Sequence, residues 1–289
     1  MNCTAVQSDA NAGWIVRYRE QGYAVLPAVF DAASVASMAR AFRRQQAAGL
    51  SHGRSFRHGN LFYRVTRDAS LGPIVRMAQW PAYVDRTLNQ TRRSPQLFGL
   101  LEPLLGQDIR QIINQLHWKP PGAAVNDFAF HQDCQFRKPA EAFRNLGESY
   151  VQTGIAIDVH DARSGCMRII PKSHARGDLG LVQSGPVMEQ TMRNSVLREA
   201  GLDPAHVIDL EMQPGDVALW NPYLVHGSGA NMAHHERRYF INGYARAADC
   251  DRGEWAFRKG RPARLGAVPA LIHFEQIAER PEPHYVDGD

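Results

Sequence analysis

The chain has 289 residues, 44% hydrophobic and 21% charged, a balance that excludes a disordered chain and allows one large domain or two small ones. A formal charge of +4 and a pI of about 9.0 favour an anionic small molecule as partner, and no basic stretch interleaved with aromatics points to nucleic acid. No apolar run approaches the ~18 residues that cross a bilayer, so no membrane association is expected. The opening MNCTAVQSDANAGW has neither a basic nor an apolar leader region, and Cys3, Cys134, Cys166 and Cys250 are scattered. They read as free thiols of a reducing, cytoplasmic compartment.

In chain order, GYAVLPAVF (Gly22 to Phe30) reads as a short apolar strand. Asp31 then caps AASVASMARAFRRQQ, where Val35, Met38, Ala39 and Phe42 recur at helical spacing. SHGRSFRHGNLFYRVTRD (Ser51 to Asp68) is polar, glycine-bearing and rich in arginine, a loop or a short hairpin. RSPQLFGLLEPLLG (Arg93 to Gly106) is helical and closed by Gly106. From Asp108 the texture changes to short β-rich runs split by turn signals: IRQIINQLHW, FAFHQDCQF, SYVQTGIAIDVH, CMRIIP, GDVALWN, LVHGS and RRYFINGYA. Such a series predicts a sandwich, jelly roll or barrel. The polar stretch of about 177–210, helical in MEQTMRNSVLREAG, is expected to be a lid over one mouth of the barrel. With no repeat and no linker, the expectation is one domain over 1–289, a helical N-terminal layer of about 1–107 packed on a β core of about 108–250.

The chemistry centres on FHQD. Residues i and i+2 of a strand point the same way, so His131 and Asp133 share a face and Gln132 and Cys134 take the other. Alone, an HxD pair is weak evidence. His226, near the end of the apolar run that follows QPGDVALW, is an odd place for a solvated histidine and offers a third donor. Two imidazoles and one carboxylate make the facial triad of non-haem Fe(II) oxygenases, whereas a closed zinc site would want four ligands. The triad leaves three positions open, two for a chelating 2-oxo acid and one for dioxygen. The far carboxylate of such an acid needs a cation, and arginine matches it with a planar fork. HHERRYFING supplies Arg237 and Arg238, of which alternation lets at most one point inward.

With these stretches in view, the chain resembles the phytanoyl-CoA dioxygenase family of Fe(II)- and 2-oxoglutarate-dependent oxygenases. GYAVLPAVF, FHQD, GIAIDVHDARSGCMRIIPKSHARG and PGDVALWNPYLVHGSGANMAHHERRYFINGYAR run in the family's order from about Gly22 to Arg246. The resemblance implies a mostly β fold with flanking helices around a double-stranded β-helix, a relative of the jelly roll and cupin, which agrees with the strands read independently. It implies Fe(II) on His131, Asp133 and His226, with Arg237 on 2-oxoglutarate and Arg238 facing outward. Ser228 would hold the same carboxylate, and Thr153 and Gln115 would neighbour the cosubstrate. Two departures stand out. Gly154 replaces a bulky aromatic, which suggests an enlarged pocket, and Lys172 replaces a glycine in IPKSH, which suggests a different turn.

Other residues carry blander readings. His117 is a core histidine or a neighbour of the site, His160 and His174 are solvated in loops, and Trp220 packs near the site. Arg64 and Arg67 are either part of a solvated face, or one of them reaches over the mouth to an anionic substrate or to the cosubstrate. The expected activity is hydroxylation, or another oxidation, of a C–H bond in a small molecule, with O2 and 2-oxoglutarate consumed and succinate and CO2 released. Asp133 argues against halogenation, which needs a small residue in its place. A non-catalytic binding module on the same scaffold is the alternative.

Overall fold

A computed structural model describes residues 4–123, 127–181, 191–266 and 279–286. The helices are α1 (Thr4–Gln21), α2 (Ala32–Ser51), α3 (Arg86–Thr91), α4 (Pro95–Leu105), α5 (Leu146–Ser149) and α6 (Asn194–Glu199). The strands are β1 (Tyr23–Leu26), β2 (Phe56–His58), β3 (Leu61–Asp68), β4 (Gly72–Gln79), β5 (Ile109–Lys119), β6 (Phe128–His131), β7 (Tyr150–Ala156) and β8 (Met167–Ile169). They continue with β9 (Ile208–Leu210), β10 (Val217–Trp220), β11 (His226–Ser228), β12 (Arg237–Arg246), β13 (Glu254–Arg258), β14 (Arg261–Pro262) and β15 (His284–Tyr285).

The strands form two antiparallel sheets. The large one runs β1-β10-β7-β12-β5-β4-β3-β2-β15, with β13 beside β5 and β14 beside β13, and the small one runs β6-β11-β8-β9. Strand alternation divides the large sheet into two faces. Leu116, Trp118, Val151, Ile155, Leu219 and Phe240 point outward and pack in the main core with Val35, Met38 and Phe42 of α2 and Leu97, Leu101 and Leu105 of α4. The intervening residues of β5, β7 and β12 face the small sheet. This is a jelly-roll, double-stranded β-helix arrangement of mostly β structure with flanking helices, as expected.

Helix ends follow their sequence signals. The Asp31 carboxylate accepts from the Ser34 amide at 2.8 Å at the start of α2, and Ser94 caps α4 with Pro95 in the first turn. Lys172 keeps a left-handed backbone (φ 65), so the turn at IPKSH takes a conformation that favours glycine although a lysine stands there.

Two expectations need correction. The N-terminal layer is not purely helical. The arginine-rich segment forms the β2–β3 hairpin, and β4 carries it to the edge of β5, so these strands widen the large sheet. The insertion of about 177–210 does not cover a mouth in its described part. Leu179, Leu181, Met192, Leu197 and Leu202 pack on Phe130, Ile170 and Val225, the outward face of the small sheet. Residues 182–190, which include the start of MEQTMRNSVLREAG, lie outside the described residues.

Candidate active site

β6 and β11 are neighbours, and the register sets His131 directly opposite His226. Their ring centroids are 4.2 Å apart. β6 ends at His131, but Gln132 stays extended (φ -122, ψ 137) before a tight helical turn starts at Asp133. Alternation therefore survives one residue past the strand and turns Asp133 to the same side as His131. Donor atoms of His131, Asp133 and His226 all lie within 4.8 Å of one another, and all three side chains are buried. Gln132 faces the other way and ties down the loops, donating to Tyr223 O at 2.6 Å and Gly177 O at 2.8 Å.

Hydrogen bonds fix the tautomers. His131 Nδ1 lies 2.8 Å from Ala129 O and His226 Nδ1 lies 2.9 Å from Leu224 O. A carbonyl only accepts, so each Nδ1 carries the proton and each Nε2 presents a lone pair. Trp220 donates its indole N–H to Asp133 Oδ2 at 2.8 Å. Burial, and next the neighbouring His226, push His131 down to about 4. For Asp133, burial raises the carboxyl, but His226, Arg137, His131 and the Trp220 bond more than offset it and hold the group below its ordinary value. Two imidazole Nε2 atoms and the Asp133 carboxylate, facing one cavity, suit a divalent cation with open positions.

That cavity, of about 290 Å³, lies between the sheets. The large sheet contributes Ile113, Gln115 and His117 of β5, Gln152 of β7, Arg237, Tyr239 and Ile241 of β12, and Arg64 of β3. Arg237 is 3% exposed and lies over the Tyr239 ring, and its Nε has no hydrogen-bond partner. Burial lowers its pKa. Directly across from it in register is Lys119, fully buried. The Lys119 ammonium donates to Ser228 Oγ at 2.6 Å and to the Gly229 carbonyl, which fixes Ser228 on the cavity wall. Burial, and next the Arg237 charge, push Lys119 well below the usual lysine range. Gln115 faces the cavity and pairs with His117 Nε2 at 3.0 Å. His117 is pushed down to about 3 by burial and then by Arg237, Arg76 and Lys119, so it stays neutral. Among the described residues that line this end of the cavity, Arg237 and Arg64 are cations and none is a carboxylate.

The structure thus gathers His131, Asp133, His226, Arg237, Ser228, Gln115 and Arg64 around one space. Thr153 does not join them. It is one residue out of phase, its hydroxyl donates to Asn242 O at 3.1 Å, and Gln152 faces the cavity instead. Arg67 is exposed and lines no part of the cavity. Arg238 turns outward and pairs with Asp158 at 2.6 Å. The cavity is not enlarged at Gly154, because the Tyr239 ring fills the space that a Cβ there would need. His160 is not solvated but buried beside Tyr239, with Nε2 3.1 Å from Arg238 O. Gln152 and Arg137 line the cavity and Lys119 braces its Ser228 wall, and none of the three stood out in the sequence alone. Lys119 continues the period-two series Ile113, Gln115, His117 and was findable. Arg137 follows a tight helical turn, where no simple period applies.

A jelly roll with a buried two-histidine, one-carboxylate set and an unpaired arginine in one cavity defines a non-haem iron oxygenase that uses a 2-oxo acid. The sequence pattern of phytanoyl-CoA dioxygenase (PhyH) matches residues 18–239, and the chain belongs to that family. It is 24% identical over 233 residues to a probable alpha-ketoglutarate-dependent hypophosphite dioxygenase of Stutzerimonas stutzeri, covering 80% of this chain and 77% of the relative. It is 27% identical over 154 residues to a 2-aminoethylphosphonate dioxygenase of Uncultured bacterium HF130_AEPn_1, covering 53% and 52%. Among solved structures, EctD from S. alaskensis with bound Fe superposes with a TM-score of 0.63 at 19% identity, covering 92% of this chain and 88% of EctD. The protein is accordingly a dioxygenase that depends on iron and 2-oxoglutarate.

Proposed function

We propose that the enzyme oxidises a C–H bond, by hydroxylation in the first instance, in a small anionic metabolite, with His131, Asp133 and His226 as the Fe(II) ligands. The observation that carries this assignment is the orientation of the donors. Both Nδ1–H groups are spent on backbone carbonyls, so the two Nε2 atoms and the carboxylate are left to face one cavity, their donor atoms within 4.8 Å of one another. Arg237 would pair with the far carboxylate of 2-oxoglutarate, with Ser228 and Gln115 beside it. Lys119 would act indirectly, by holding the Ser228 hydroxyl in place. With iron and 2-oxoglutarate bound, O2 would be the oxidant, taking two electrons from 2-oxoglutarate as it goes to succinate and CO2 and two from the substrate. The chain's part is to bind, to orient and to keep water out. Trp220, Tyr239, Met167 and Phe128 supply the apolar wall for this.

The small anionic substrate class is supported by the size and cationic lining of the cavity and by the phosphorus oxyanions named for two relatives. A cytoplasmic setting is supported by the unpaired, buried Cys134, Cys166 and Cys250. The test is anaerobic addition of Fe(II) and 2-oxoglutarate. A weak visible charge-transfer band should develop in the wild type and not in His131→Ala, and a screen of small acids by succinate release should then find the substrate. A wild type without the band, or His131→Ala with all of it, would end this reading.

A further inference from the structure

The cavity has a second cationic end. Arg137 follows Asp133 by four residues and is 3% exposed. It lines the same cavity as Arg237, yet from the opposite direction. The strand register measures the separation. Arg237 of β12 lies opposite Lys119, whereas Gln152 of β7 lies opposite Gly243, six residues further along β12. At ~3.3 Å per residue that is about 20 Å of strand. The Arg137 guanidinium lies 4.9 Å from the centre of the Tyr150 ring, and the Tyr150 hydroxyl donates to Gln152 Oε1 at 2.6 Å. Gly243 makes this placement possible, because a Cβ there would overlap both the Tyr150 hydroxyl and the Gln152 amide oxygen. Asp133 and its neighbours sit between the two arginines.

Arg137 is poorly satisfied by the protein. Its Nη1 donates to the Phe136 carbonyl at 3.3 Å, the Tyr150 side chain lies against it, and its Nε has no partner. It forms no ion pair with a carboxylate among the described residues. A buried guanidinium that no carboxylate grips directly is a natural partner for an arriving anion. Charge balance points the same way. Counting Arg137 and Arg237 with the iron, against Asp133 and the two carboxylates of 2-oxoglutarate, one positive charge remains. Arg64 is left out of this count. Gln152 adds a second polar group: with its Oε1 engaged by Tyr150, its amide N–H groups are the donors left for the cavity.

We infer that Arg137, braced by Tyr150 and flanked by Gln152, is the subsite for the anionic group of the primary substrate, a carboxylate, phosphonate or sulfonate. It is distinct from the Arg237 end that takes 2-oxoglutarate. The inference rests on the iron and 2-oxoglutarate reading above. It assigns the cosubstrate and the substrate to opposite ends of one cavity, with the metal ligands between them.

The test uses the anaerobic Fe(II) holoenzyme saturated with 2-oxoglutarate, titrated calorimetrically with propionate, ethylphosphonate and ethanesulfonate. At least one probe should bind the wild type. Arg137→Gln should weaken that binding about 30-fold or more, the effect of removing one member of a buried, charge-assisted pair. Arg137→Lys should recover part of it, since it keeps the charge without the fork. Both variants should keep the charge-transfer band and bind 2-oxoglutarate within about threefold of wild type, a change of less than ~0.7 kcal/mol. If no probe binds a wild type that shows the band, or if Arg137→Gln and Arg137→Lys both bind the probe as the wild type does, the subsite is not there. If Arg137 merely tunes Asp133, iron affinity changes and probe binding does not, which overturns the proposal equally. Absence of the band in the wild type instead would sink the iron and 2-oxoglutarate reading itself.

Discussion

The two sheets that enclose the cavity do opposite things with buried polarity. The small sheet brings metal donors whose other polar atoms are already paired: two Nδ1–H groups on carbonyls and a carboxylate oxygen on an indole. The large sheet brings Arg237, whose Nε has no partner, and a Lys119 whose ammonium donates to the Ser228 hydroxyl and the Gly229 carbonyl. Buried polar groups are normally satisfied, and buried charges normally have a counter-charge. Satisfaction on the small sheet fixes orientation for a cation that arrives from outside. Incompleteness on the large sheet marks where an anion is missing. One side of the site is preorganised, and the other is completed by its ligand.

The strongest test of the contrast is on the small sheet. His131→Ala or Asp133→Ala removes a donor from a set that works only as a unit, so turnover should fall by more than about a thousandfold. Iron titration should show weakened binding with the fold intact by circular dichroism. Retained turnover in either variant would mean that the donors have been misassigned.

The large sheet should answer in KM for the cosubstrate. Removing one member of a buried ion pair costs about 2–5 kcal/mol, so Arg237→Gln should raise the 2-oxoglutarate KM about 30-fold or more. Arg238→Gln breaks the part-exposed pair with Asp158 and should change that KM by less than about threefold, with the loss appearing as a lower Tm. The reverse ranking would mean that the facing of β12 is wrong.

The same division explains what could be read from the sequence. The metal donors were legible because His131 and Asp133 are two residues apart on locally extended chain, and parity needs no tertiary knowledge. The strand series from Asp108 was legible because turn residues punctuate it. Arg237 could be separated from Arg238 only through the family resemblance, since alternation says that one faces inward and not which. Thr153 was misplaced for that reason: the strand was right and its phase was off by one. Gly154 misled because the space lacking a side chain there is filled from β12 by Tyr239, a cross-strand contact invisible in the local sequence. Arg137 lies beyond a helical turn, and its inward direction follows from packing against Tyr150.

His117 reports the cationic end through pH. Its folded pKa of about 3 lies below the ordinary value of 6.5, because burial and then Arg237, Arg76 and Lys119 oppose a second charge. The unfolded chain therefore takes up a proton below about pH 6.5 that the folded chain refuses, and stability is lost as pH falls through that window. Between pH 7.5 and 5, the apo wild type should lose about 2 kcal/mol more than His117→Gln in urea unfolding. Equal losses would show that burial and these charges together do not depress the histidine. Comparing the two proteins removes the contribution of every other titrating group.

The smallest effect tests the phase of β7. Thr153 shares the helix-side face of β7 with Val151 and Ile155 and spends its hydroxyl on the Asn242 carbonyl. Thr153→Val keeps the volume and the strand preference but loses that hydrogen bond. Stability should drop by about 1 kcal/mol, within the range for a single buried hydrogen bond. The 2-oxoglutarate KM should stay within about twofold of wild type, because no cavity atom changes and a twofold shift is only ~0.4 kcal/mol. A tenfold rise would require about 1.4 kcal/mol of lost cosubstrate binding. That would put Thr153 on the cavity side, turn Gln152 away from it, and remove the second polar group proposed to flank Arg137 at the far end.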